Sequence, residues 1–247
     1  MLYIVLIVSL VLFFTVGSVM GVRQTKLLLE TEMDEKARIQ HYATITFSMW
    51  IPVIVVLVVV AFSNISFADI GFSLLSFNFD FTLTAAVLAL AFLWIAFFLC
   101  KIIAFLISEK FRKRRNDALL KKASGSDYYD LVLSKIMTPR TKNEKRWWLG
   151  ISLTTGICEE VIFRGVFIYL IASIFPNISI FLVLAIAVAL FGLGHFYQGV
   201  KGLLLATLIG AFFALVYIVS DSLILVIAMH FITNFANAFE FSEGSCT

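Results

Sequence analysis

The sequence predicts an all-α, polytopic membrane helical bundle of about seven transmembrane helices, and three observations lead there. Of 247 residues, 61% are hydrophobic and only 14% charged, and the mean hydropathy of +1.00 lies outside the range of soluble chains. Seven apolar runs each reach roughly the 20 residues that helical rise needs to cross a hydrocarbon core. The charged residues gather between those runs. A net charge of +3 is too small to suggest a nucleic-acid partner. Cys100, Cys158 and Cys246 are an odd number at unrelated spacings, with neither a CxxC pair nor a disulfide framework.

The first run, Leu2–Val22, lacks a basic leader and a small-residue cleavage site, and is expected to stay as a span. Arg23 to Gln40 mixes both signs of charge and is expected to form a short exposed helix, with His41 an interfacial residue at the mouth of the second run, Ala43–Phe62. The loop Ser63–Phe81 carries no Lys or Arg. After the third run, Leu83–Ile107, the stretch Glu109–Arg146 holds 12 of the 19 basic residues. The positive-inside rule makes that stretch cytoplasmic, which sets the N-terminus outside and the C-terminus in the cytoplasm. It is read as a solvated face, with an anionic-lipid or partner site as the alternative.

Trp147 and Trp148 are expected to anchor the fourth run, Leu149–Ser173, at the interface. The fifth and seventh runs are Ile178–Tyr197 and Leu223–Phe239. The sixth, Leu203–Val219, carries with Gly202 a stripe of Gly202, Ala206, Gly210 and Ala214, whose four-residue spacing lets helix backbones pack closely inside the bundle. Two parts are expected: 1–146, three spans and the basic loop, and 147–247, a four-span core that holds the chemistry.

Glu159, Glu160 and Arg164 stand inside the fourth run. A charge at mid-membrane costs about 2.5–3.5 kcal/mol, so three would cost on the order of 9 kcal/mol, and a functional site is the default explanation. At 100° per residue, Arg164 lies about 40° from Glu160 and about 140° from Glu159. Glu160 and Arg164 therefore pair at i,i+4, which leaves Glu159 on another face as the carboxylate for chemistry. Two of the three histidines also lie in spans, in FGLGH (Phe191–His195) and HFITN (His230–Asn234).

Glu159, His195 and His230 have the ligand set of a His2Glu zinc centre with a bound water. Alternatively, Glu159 and one histidine activate a water directly, while the other histidine and Asn234 hold the oxyanion. Both readings lead to amide hydrolysis. There is no HExxH, no GxSxG elbow and no paired-aspartate site, and Cys158, without an adjacent base, is read as structural. A proton-coupled transporter is disfavoured because the halves show no inverted repeat.

EEVIFR, FGLGH and HFITN match EExxxR, FxxxH and HxxxN in order on three membrane segments. Over about Trp147–Asn237 the chain resembles the CPBP (CAAX protease and bacteriocin-processing) intramembrane proteases, which include the type II CAAX prenyl endopeptidase and bacterial relatives. The resemblance implies Glu159 as the water-activating carboxylate, with Glu160, Arg164 and Phe191 in support. It implies His195 as a second residue of the water site, and His230 with Asn234 as the oxyanion- or metal-facing group. It also implies a hydrophobic or membrane-anchored peptide as substrate, membrane lipid as surroundings and a bacterial plasma membrane as location. Family members without demonstrated cleavage supply the alternative, a scaffold or bacteriocin-immunity protein that uses the same polar site for binding. The characterised CAAX proteases usually have a further span after HxxxN; here the Leu83–Ile107 run is the expected replacement wall.

Overall fold

The computed structural model describes residues 2–31, 33–63, 65–72 and 80–241. Cys246 and, in the loop without Lys or Arg, residues 64 and 73–79 lie outside the described residues. Among the described residues there is no strand, as hydrocarbon requires of segments that must pair their own backbone groups.

The first five helices are α1 (Leu2–Glu30), α2 (Glu35–Ala61), α3 (Phe81–Ile107), α4 (Glu109–Ser124) and α5 (Tyr128–Leu131). Then come α6 (Lys142–Glu160), α7 (Ile168–Ile174), α8 (Ile180–Gly194), α9 (Gly199–Ser220) and α10 (Leu223–Phe235). A π-helical segment, Val132–Met137, continues α5, and a second, Val161–Phe167, joins α6 to α7 without a break. Short polar side chains set the helix starts: Asp34, Asp80 and Ser108 accept from the exposed N–H groups of α2, α3 and α4. Asp221 ends α9 in the left-handed region, at φ 49°.

This is an integral membrane bundle. All seven apolar runs are helical, yet among the described residues only α1, α2, α3 and Phe196–Ser220 are both long and apolar enough to cross a membrane. Ile180–Gly194 and Leu223–Phe239 are apolar but shorter. The 15 residues of α8 rise about 22 Å against a core of about 30 Å. The expected fifth span is cut there because His195 leaves helical geometry (φ −96°, ψ 7°).

The column α6–π–α7 lies at the centre, with every residue from Cys158 to Ile168 buried. It packs along α2 and α10, while α8 lies against α9. α3 closes the side beside α9 and α10, as expected of the Leu83–Ile107 run, and Trp94 Nε1 donates to Thr233 Oγ1 at 2.8 Å.

Three expectations are corrected. No separate exposed helix occupies 23–40: α1 runs on to Glu30 and α2 begins at Glu35, with Arg38 buried and its Nε 2.9 Å from Glu144 Oε1. Trp148 is not an interfacial anchor; it is buried, stacks edge-on against Tyr42 and donates to the Asn234 carbonyl at 2.8 Å. And α6 starts at Lys142, inside the expected basic loop, because Thr141 and Glu144 form a reciprocal capping box.

Candidate active site

Close helix contacts bring the polar groups together. A Cβ on Gly156 of α6 would stand 3.2 Å from the Phe231 backbone nitrogen, so α6 and α10 approach almost backbone to backbone. A Cβ on Gly210 of α9 would stand 2.8 Å from the Phe191 ring and 3.3 Å from the Arg164 guanidinium. The small-residue stripe of α9 thus packs internally, as its spacing predicted, and makes room for the arginine.

Glu160 is fully buried and Arg164 almost so. Arg164 Nη1 lies 3.0 Å from Glu160 Oε1, its Nη2 donates to the Gly210 carbonyl at 3.0 Å, and the guanidinium sits 4.3 Å over the Phe191 ring. The i,i+4 pair is the one the sequence predicted, although Arg164 lies on the π segment. A role the sequence did not reveal also falls to Glu160: the same Oε1 is 2.6 Å from His230 Nδ1. A carboxylate accepts, so His230 carries its proton on Nδ1 and presents Nε2 as a lone pair.

His195 is arranged in the same sense by a different partner. It caps α8, and its Nδ1 lies 2.9 Å from the Phe191 carbonyl four residues back. A carbonyl can only accept, so this Nδ1 too carries the proton and Nε2 is the free acceptor. The four-residue spacing of FGLGH follows from this bond together with the contact of the Phe191 and His195 rings at 4.7 Å.

Both Nε2 atoms face Glu159. Glu159 Oε2 is 3.8 Å from His195 Nε2 and 3.8 Å from His230 Nε2. It is buried and makes no hydrogen bond to any of the described residues. Three acceptors therefore converge without touching. Asn234 lies one helical turn beyond His230, and its Nδ2 donates to Thr155 Oγ1 at 3.0 Å, which leaves the second amide hydrogen for another partner. Thr155 was not anticipated, although it stands four residues before Glu159 on the same face of α6. Cys158 is fully buried and is not among the cavity-lining residues.

These groups sit in a cavity of about 320 Å³, which Glu159, His195, His230, Thr155 and Asn234 line together with mostly apolar side chains. The donor types would suit zinc, but the spacing does not. Among the described residues no group of three His, Cys, Asp or Glu side chains is arranged to hold a metal ion. Edges of 3.8 Å with zinc bonds of 2.0–2.2 Å would open the ligand–metal–ligand angle to about 120–140°, wider than tetrahedral. A water about 2.8 Å from each atom bridges the same edges at about 85°. The spacing accommodates a bridging water.

The fold is that of an integral membrane protein, with a polar cluster enclosed in its bundle. Residues 142–236, from the start of α6 into the turn after α10, match the family model described as Rce1-like, type II CAAX prenyl endopeptidase Rce1-like. The match is consistent with the CPBP/CAAX protease family, as EExxxR, FxxxH and HxxxN indicated, and at family level it supports a CAAX-type intramembrane protease. Comparison with curated proteins and with solved structures gives no match.

Proposed function

We propose that the protein is an intramembrane endopeptidase that hydrolyses a peptide bond of a membrane-associated or hydrophobic peptide through a water held by Glu159, His195 and His230. The observation that carries this reading is the convergence of one carboxylate and two imidazole lone pairs, 3.8 Å apart on two edges, inside an apolar cavity. A water there donates to two of the three acceptors, and one further proton completes the cluster. General base and general acid are then present in one site.

In the proposed step Glu159 takes a proton from the water as its oxygen attacks the peptide carbonyl. The tetrahedral oxyanion accepts from the protonated imidazole and the free Asn234 amide hydrogen. The C–N bond then breaks as the leaving nitrogen receives the proton held on Glu159. Glu160 keeps the His230 ring in the tautomer this requires, in the manner of a carboxylate that orients a catalytic imidazole. By the positive-inside rule the basic α4 faces the cytoplasm, and Tyr129, Leu133 and Met137, which follow it in the chain, line the cavity.

The test is cleavage of a hydrophobic peptide library by purified protein in liposomes. Glu159→Gln and His195→Ala should each lower the rate by about 100-fold or more, the usual contribution of a general acid or base. Wild-type turnover by either variant would remove the assignment.

A further inference from the structure

The stretch between α4 and α6 belongs to the basic region, but its middle is apolar: Leu131, Val132, Leu133, Ile136 and Met137 follow one another around Ser134 and Lys135. Val132 and Ile136, four residues apart, are fully buried and fix one face of the π segment to the protein. Tyr42 Oη donates to the Ile136 carbonyl at 3.0 Å and Thr138 Oγ1 to the Leu133 carbonyl at 2.8 Å. On the neighbouring face Tyr129, Leu133 and Met137, again four apart, line the cavity that holds Glu159, His195 and His230. These three are only half-buried, so their apolar surface remains free to meet a bound chain.

The segment is also tied to the end of α8 that carries His195. Tyr128 Oη donates to the Tyr197 carbonyl at 3.2 Å, two residues beyond that histidine. Asp127 and Asp130 reach Lys201 at 3.4 and 3.5 Å, and the Lys201 ammonium lies 5.2 Å over the Tyr129 ring. The Asp130 N–H holds the Asp127 carboxyl below the usual carboxylate range, so it stays ionised for this contact. The segment itself, residues 127–138, lies before residue 142, outside the part of the chain that matches the family model.

Resting on the reading above, we infer that residues 127–138 form the selecting wall of the site: Tyr129, Leu133 and Met137 contact an apolar substrate side chain beside the bond to be cleaved and set the size accepted. Phe14, Met49 and Phe98, equally apolar, line the same cavity. A side chain lodged there is held by area and shape, without directed bonds, and in such a pocket one methylene changes kcat/KM by about 10–200-fold.

The experiment has two arms on one set of variants. The first measures kcat/KM for quenched-fluorescent hydrophobic peptides that differ only in whether the residues flanking the cleaved bond are Ala, Leu or Phe. Leu133→Trp should reduce cleavage of the Phe peptide relative to the Ala peptide by roughly 10-fold or more, and Leu133→Ala should shift preference toward Phe. The second arm needs no turnover. Leu133→Cys, in a background of Cys100→Ser, Cys246→Ser and Glu159→Gln, is reacted with a maleimide with and without the same peptides. Slower labelling with peptide places the chain against the wall.

Shifted preference together with protection supports the inference. Cleavage that is equally altered or unaltered for all three peptides, without protection, overturns the selecting wall and leaves the peptidase reading standing. Protection without any wild-type cleavage supports the wall as a peptide-binding surface and removes the peptidase reading. Neither cleavage nor protection overturns both.

Discussion

Replacing Arg164 by methionine tests how the buried charges are held. The change keeps an unbranched side chain near the Phe191 ring but removes the bond to Glu160 Oε1 and the bond to the Gly210 carbonyl, each 3.0 Å long. Glu160, fully buried, then retains His230 Nδ1 as its one side-chain partner, and its Oε2 already lacks a bond within the protein. Removing one member of a buried pair costs about 3–5 kcal/mol, most of it from the charge left behind. For a chain of this size about 4 kcal/mol lowers Tm by roughly 8–16 °C. The double variant Glu160→Gln/Arg164→Met strands no charge and keeps an amide oxygen for His230 Nδ1, so most of the loss should return. The assay is thermal unfolding in detergent followed by tryptophan fluorescence. A single variant that melts with the wild type, or a double variant no more stable than the single, would refute the argument.

Three further outcomes are expected. Glu159→Gln should not lower Tm, since Oε2 accepts no bond from the described residues and a near-isosteric amide removes a buried charge, while cleavage is lost; a variant that keeps its biological role would favour the scaffold or immunity alternative. Treatment of the wild type with 1,10-phenanthroline should leave the cleavage rate unchanged, because the three donors fit a water; loss of activity that added zinc restores would overturn that fit. Arg38→Met should remove the ion-pair partner of the buried Glu144, which keeps its bonds from the Arg140 and Thr141 N–H groups, and cost about 1.5–3 kcal/mol, yet leave turnover per folded molecule as in wild type, because neither residue lines the cavity; a selective fall in turnover at normal Tm would show that the pair reaches the site.

Much of the site is legible in the sequence because its contacts are local. Glu160 with Arg164, and Phe191 with His195, meet at four-residue spacing, and helical geometry alone predicts both. The partnership of Glu160 with His230 is not legible, because it spans 70 residues and depends on how closely Gly156 lets α10 approach. Arg38 and Glu144, 106 residues apart, each look like one more charge in a polar stretch. The π segments carry no composition of their own: VIFRGVF reads as ordinary apolar helix. Two features do stand in the sequence. Thr141 and Glu144 have the spacing of a capping box, which marks the start of α6. The four-residue rhythm of Tyr129, Leu133 and Met137 was hidden by the lysines and arginines around it.

The single oxygen Glu160 Oε1 joins three helices, since it holds Arg164, which reaches α9 through the Gly210 carbonyl, and His230 on α10. A ribosome delivers α6 first and α10 last. Until α10 docks, Glu159 has no second imidazole facing it and no oriented acid. On the proposed mechanism, the nascent chain is thus inert toward its neighbours in the membrane while it is being inserted, and hydrolytic competence arrives with the final packing event. On that mechanism, assembly itself acts as the safety catch.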